Sequence, residues 1–209
     1  MADISAAQVK QLRELTGAGM MDCKKALQDA DGDLDRATQL LQERGLASAA
    51  KRANRTANQG RIESYIHFNS TVGSLVEVNC ETDFVANTDD FRQLAKDLAL
   101  HVASPAAPTW LTRDDVPAEV LDHQRHVFEA QAREMGKPDD VVPKIVEGKL
   151  NSFYEEHVLL DQPFVRDDAK TIRQLLDEVG ARVGEKVAVR RFVRYKLGEE
   201  DADGGGRDG

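Results

Sequence analysis

Sulfur, aromatic rings and basic charge are all scarce in this chain. Its 209 residues hold 2 cysteines, 1 tryptophan, 3 tyrosines and 7 phenylalanines. Cys23 and Cys80 lie far apart and in no Cys-x-x-Cys pair, so the sequence supports neither a zinc site nor a disulfide framework. Two small buried thiols are expected instead. An aromatic content of 5% beside 31% charged residues suits helices with solvated faces better than a β-sandwich. Lys and Arg number 28 against 37 Asp and Glu, a net charge of −9. A protein that displaces the counterions of a phosphate backbone needs a basic face, so direct nucleic-acid binding is not expected. No run approaches the roughly 20 apolar residues of a membrane span. Met1-Ala2-Asp3 has neither the basic nor the apolar region of a secretory signal, so a cytoplasmic protein without a membrane partner is expected.

Enzyme signatures are missing as well. There is no phosphate-binding P-loop and no Gly-x-Ser-x-Gly elbow to present a nucleophile. Gly17-Ala18-Gly19-Met20-Met21-Asp22 begins like a dinucleotide loop, but it follows a helical pattern instead of a strand and ends in Asp. His123 and His126 are three apart on a predicted helix, without a third ligand in any metal-binding spacing, and read as surface residues. No catalytic residue, cofactor or metal is expected, and the chain reads as a non-enzyme.

What the sequence does contain is strong periodicity. At about 100–200 residues per domain, its length fits one medium domain with a small attachment, and 41% hydrophobic residues suffice for a core. Residues 1–50 read as a three-helix unit. Ser5 and Gln8 form a capping box with Ile4 and Val9 as a staple, and Val9, Leu12 and Leu15 make the first buried stripe, which Gly17 and Gly19 end. Met20, Cys23, Ala26 and Leu27 face inward on the second helix. Leu34, Ala37, Leu40 and Leu41 do so on the third, which Gly45 is expected to close. Helices this short must pack together to persist.

Residues 51–59 read as a helical linker. With its flanks it carries Lys51, Arg52, Arg55 and Arg61, so an adaptor or RNA-binding module using this basic segment is the alternative to weigh. From residue 60 the period becomes two. Ile62, Ile66 and Phe68 alternate with Glu63, Tyr65 and His67; a turn follows at 69–73; then Val76, Val78 and Cys80 alternate with Leu75, Glu77 and Asn79. An amphipathic helix with Phe91, Leu94, Ala95, Leu98, Ala99 and Val102 on one face comes next, then helices within 115–160. Another helix starts near Asp167 or Asp168 and stops at Gly180. A last strand places Val187, Val189, Val193, Tyr195 and Leu197 on one face, with Arg190, Phe192, Arg194 and Lys196 on the other. The predicted fold class is α+β: an N-terminal three-helix bundle, then a core over 60–197 with a small antiparallel three-stranded sheet covered by helices. Residues 198–209, rich in Gly and acids, read as a disordered tail.

The unusual segment is Thr82-Asp83-Phe84-Val85-Ala86-Asn87, where an acid and a large ring sit side by side at a strand-to-helix junction. Periodicity leaves two arrangements open. Phe84 can tuck under the following helix while Asp83 or Thr82 caps it, or Asp83 and Phe84 can both project.

A resemblance adds to this reading. Ala18-Gly19-Met20-Met21-Asp22-Cys23-Lys24-Lys25-Ala26-Leu27, Asn79-Cys80-Glu81-Thr82-Asp83-Phe84-Val85-Ala86, Gln162-Pro163-Phe164-Val165 and Arg191-Phe192-Val193-Arg194-Tyr195 stand in the order found in elongation factor Ts. The chain resembles that family, the guanine nucleotide exchange factors of elongation factor Tu, from Ile4 to Leu197. The resemblance implies that residues 1–50 are a ubiquitin-associated-like bundle docking on the GTPase domain of elongation factor Tu, with Val9, Leu12, Met20 and Met21 as candidate contacts. It further implies that Thr82, Asp83, Phe84 and Val85 promote Mg²⁺ displacement and GDP release, with Phe84 as a wedge beside the nucleotide site. Family members often carry Lys or Arg where this chain has Asn87. Long members have two related core subdomains and a coiled-coil insertion; here one hairpin and one Thr-Asp-Phe segment imply the short form. The short form implies a homodimer, through the exposed sheet face or the 115–160 helices.

Overall fold

The computed structural model describes residues 4–16 and 18–199. Helices α1 (Ala6–Thr16), α2 (Met20–Asp29) and α3 (Leu34–Ala53) pack around Val9, Leu12, Cys23, Ala26, Leu27 and Ala37. The capping box forms as expected: Gln8 N–H donates to Ser5 Oγ at 3.2 Å and Ser5 N–H to Gln8 Oε1 at 3.0 Å. Two expected core residues differ. Leu15 is 68% exposed, because at 3.6 residues per turn the inward row from Leu12 continues to the part-buried Thr16. Met20, the first residue of α2, lies beyond the bundle core and is 49% exposed.

The third helix departs more. It starts on Asp33, which accepts from Arg36 N–H at 3.0 Å, but it runs through Gly45 to Ala53 instead of ending at Gly45. Gly45 is a helix-interior residue with open space around it, and a glycine there costs about 1 kcal/mol, too little to break a packed helix. The last turns are used. Arg52 is buried and donates to Ser48 Oγ, and Lys186 Nζ donates to the terminal Ala53 carbonyl at 2.6 Å. Arg55 and Arg61 pair with Glu81 and Glu63. Three of the four cations on which the RNA-binding alternative rests are thus committed within the protein.

Strands β1 (Gln59–Ile66), β2 (Val72–Cys80) and β5 (Ala188–Lys196) form an antiparallel sheet in the order β1-β2-β5. Helix α5 (Asp89–Ala103) covers one face with Phe91, Leu94, Ala95, Leu98, Ala99 and Val102, all buried. Beneath it lie Val76, Val78 and Cys80. The opposite face is open, and it is apolar: Ile62, Ile66, Phe68, Leu75, Val193, Tyr195 and Leu197 are exposed. The expected faces of β5 need correction. A β-bulge sets Arg190 and Arg191 against the single Glu77, so Val189 and Phe192 turn to the core while Val193, Tyr195 and Leu197 turn away from it.

Helices α6 (Ala118–Glu134) and α7 (Val142–His157) pack side by side over two small cores, around Phe153 and around Ala132. His123 and His126 are exposed on α6, and Met135 caps the helix end in solvent. The next helix begins later than expected. Pro163–Phe164 (β3) and Asp167–Thr171 (β4) pair as a small hairpin, so α8 (Ile172–Val183) is capped by Thr171 and Gln174 instead of Asp167 or Asp168. It also passes Gly180 and ends at Gly184 in the left-handed conformation, φ 75°. Among the described residues no helix is long and apolar enough to cross a membrane. Residues 200–209, most of the expected acidic tail, and Gly17 lie outside the described residues.

Candidate functional site

The Thr82–Asn87 segment folds as a single capped turn, α4 (Asp83–Ala86), set between the end of β2 and the start of α5. Thr82 is extended and its Oγ1 accepts from Val85 N–H at 3.4 Å. At the other end Asn87 N–H bonds the carbonyls of Asp83 and Phe84, and Asn87 Nδ2 donates to the Asp83 carbonyl at 2.9 Å. Thr88 closes the junction: its hydroxyl donates to Val85 O at 2.8 Å and accepts from Phe91 N–H at 3.3 Å, which starts α5.

Of the two arrangements left open by the sequence, the structure combines parts of each. Thr82 is the cap, and Asp83 and Phe84 both project. Ala86 is buried and Val85 packs on the core, whereas the Phe84 ring is 82% exposed. A four-residue turn has no stability of its own. Its shape comes from the caps and from two anchors, the buried Ala86 and the partly buried Val85.

Behind the turn, two carboxylates cross between β2 and the α8–β5 loop. Glu185 Oε2 accepts from Glu81 N–H and Thr82 N–H, both at 3.0 Å, and Glu185 Oε1 accepts from the Thr82 hydroxyl at 2.6 Å. In return Glu81 Oε1 accepts from Lys186 N–H at 2.6 Å and from Arg55 Nη1 at 3.2 Å. The Lys186 N–H bond, and then Arg55, holds the Glu81 carboxyl below the usual range. Cys80, buried beside this crossing, has its thiol pushed up to about 11, by burial first and by the Glu185 charge second. It is an unreactive thiol.

The bundle candidates divide. Val9 and Leu12 are core residues, 6% and 0% exposed, and burial withdraws both as direct contacts. Met20 and Met21 are exposed, and Leu15 joins them as an exposed apolar side chain that its sequence spacing had assigned inward.

A family model described as Elongation factor TS matches residues 3–199. The chain is 53% identical over 199 residues to the elongation factor Ts of Desulforamulus reducens, across 95% of this chain and 91% of that one. It is 53% identical over 196 residues to that of Thermoanaerobacter sp., across 94% and 96%. The elongation factor Ts of Geobacter sulfurreducens is 50% identical over 196 residues. The chain belongs to the elongation factor Ts family. It is accordingly a translation elongation factor with a nucleotide-exchange role.

Not every segment that carries the resemblance to elongation factor Ts is a contact surface. Gln162 is 2% exposed; its amide donates to Ala106 O at 2.8 Å and Glu156 O at 2.7 Å, and its Oε1 meets His101 Nε2 at 2.9 Å. His101 Nδ1 accepts from Val165 N–H at 3.2 Å, so the proton sits on Nε2. Burial holds this histidine below its usual range, partly opposed by the Gln162 bond. The motif at Gln162 is a structural lock joining α5, α7 and the β3 hairpin.

Proposed function

We propose that the chain binds elongation factor Tu carrying GDP and speeds release of the nucleotide, by inserting Phe84 beside the partner's phosphate site. The observation that supports this most is a phenylalanine held in water at the head of a doubly capped turn. Bound GDP is held by backbone N–H groups around its phosphates and by Mg²⁺. Burying the ring gains about 2–3 kcal/mol, available only in a partner conformation that admits it. If that conformation misaligns the phosphate and Mg²⁺ contacts, the factor and GDP weaken each other equally. Asp83 brings a carboxylate to the same side, where it opposes the phosphates and competes for the cation.

A thousandfold weakening of GDP needs about 4 kcal/mol, more than one ring supplies. The rest falls to a second contact on the partner's GTPase domain, made by the ubiquitin-associated-like bundle of residues 1–50 through Leu15, Met20 and Met21. Residues 51–59 join that bundle to a core and dimerisation unit over 60–197. The apolar open sheet face favours the sheet over the 115–160 helices as the dimer contact. No bond is made or broken, so the activity needs no catalytic residue and no cofactor of its own.

Elongation factor Tu loaded with fluorescent GDP is the test. The protein should accelerate release severalfold or more, and Phe84→Ala should lose most of that acceleration. Unchanged release with the intact protein would overturn the proposal.

A further inference from the structure

We propose that Glu185 is a positioning residue for exchange, holding the Phe84 turn in its competent shape although it lies more than 100 residues away in the chain. The inference rests on the exchange reading above. Both Glu185 oxygens are spent on β2 and the cap, and among the described residues no lysine or arginine is ion-paired with this carboxylate. It therefore acts on the Thr82 region.

The bond to Thr82 decides more than its length suggests. The hydroxyl has one hydrogen and two lone pairs. By taking that hydrogen, Glu185 Oε1 fixes the rotor so that a lone pair faces Val85 N–H, the bond that caps α4. Through Oε2 the same carboxylate holds the two peptide N–H groups that lead into the turn. Without it the hydroxyl is free to rotate, the cap weakens, and a turn too short to stand alone no longer presents Phe84 in one orientation. A wedge that must be ordered at the moment of insertion pays the ordering entropy then, so it is the exchange step that slows.

Two features hold Glu185 itself. Gly180 lets the loop fold back on α8, since a Cβ at that position would stand 2.9 Å from the Glu185 carbonyl oxygen. Arg55, just past α3, bonds both Glu81 and the Gly184 carbonyl at 3.3 Å. The bundle that carries Leu15 and Met21 is thereby tied to the base of the Phe84 turn, which sets the spacing of the two proposed contacts.

The test is a double-mutant cycle on release of fluorescent GDP from elongation factor Tu, using the full chain. Glu185→Ala should lower the release rate at saturating factor about tenfold, with less than about threefold change in the half-saturating concentration. In a Phe84→Ala background the same change should cost less than about twofold, because its effect passes through Phe84. Glu185→Gln, which keeps one acceptor oxygen, should fall between. Hydrogen exchange without the partner reads the clamp alone: the Thr82 and Val85 amides should lose protection in Glu185→Ala while Leu98 and Val102 of α5 keep theirs. Wild-type release by Glu185→Ala, an equal loss in both backgrounds, or unchanged protection at Thr82 and Val85 would each overturn the proposal. If the intact protein does not speed release at all, it is the exchange reading that falls, whatever the amide exchange reports.

Discussion

His101 and Phe84 are both large rings within the core unit, and the environment of each sets its use. His101 is fully buried with both ring nitrogens engaged, one giving a hydrogen to Gln162 and the other taking one from Val165. Protonation at Nδ1 would break the Val165 bond and bury a charge, so the folded chain keeps the ring neutral below the pH at which the unfolded chain protonates it. The unfolded state then binds more protons, and stability falls as pH drops below about 6.5. Thermal unfolding at pH 8 and pH 5 should record this loss, and His101→Gln should make it smaller; an identical drop in both proteins would refute the assignment. Helical spacing places His101 inward but does not name the partners that keep it neutral, and no periodicity decides the exposure of Phe84. His101 sits on the apolar face of an amphipathic helix, where its partner Gln162 arrives from a distant segment. Phe84 stands where periodicity stops, and its exposure follows from Val85 and Ala86 being the residues that reach the core.

At the scale of elements, caps were more legible than ends. The Ser5–Gln8 box and the Asp33 cap each join residues only three apart in the chain, and both form. Glycine does not mark the helix end at Gly45 or at Gly180, because a glycine signal is local while packing decides whether a helix continues. These two glycines should respond oppositely to substitution. Among the described residues a Cβ at Gly45 meets nothing within 4 Å beyond its chain neighbours and its own helix backbone, so Gly45→Ala should stabilise the protein by up to about 1 kcal/mol. Gly180→Ala drives a methyl to 2.9 Å from a backbone oxygen and should destabilise it by about 1–3 kcal/mol. Denaturant unfolding of the two variants checks both signs. The late start of α8 has the same kind of cause: Asp167 and Asp168 are good caps by composition, but pairing with β3 takes that segment first.

For the whole molecule, the sheet is finished on one side only. The α+β class, the three strands of the main sheet and the covering helix are readable from period two giving way to a 3.6-residue period, whereas the short β3–β4 hairpin is not. An exposed sheet face is expected from the resemblance, but which apolar residues line it is not legible, because an alternating apolar strand looks the same whether its apolar side meets a helix of its own chain or something else. Ile62, Ile66, Leu75, Val193 and Tyr195 form a patch that a soluble monomer rarely leaves in water. If two copies bury it together, sedimentation should give twice the mass of one chain, and Ile66→Lys should shift the protein to the mass of one; a single-chain mass for the unmodified protein would end that reading. The support behind Phe84 was the least legible part of the site. Glu185 belongs to no motif shared with Thr82, and only the sheet order, which brings β5 beside β2, makes them neighbours.

The bulge in β5 has a consequence for how the strand can change length. Two arginines, Arg190 and Arg191, stand where a regular ladder has room for one residue opposite Glu77. Losing either leaves the same sequence, with Val189 and Phe192 still facing α5 and Val193 and Tyr195 still facing out. Losing one residue farther along would exchange the two sides of everything beyond it. The strand thus carries one spare residue, at the single place where a deletion is silent for both the core and the open face.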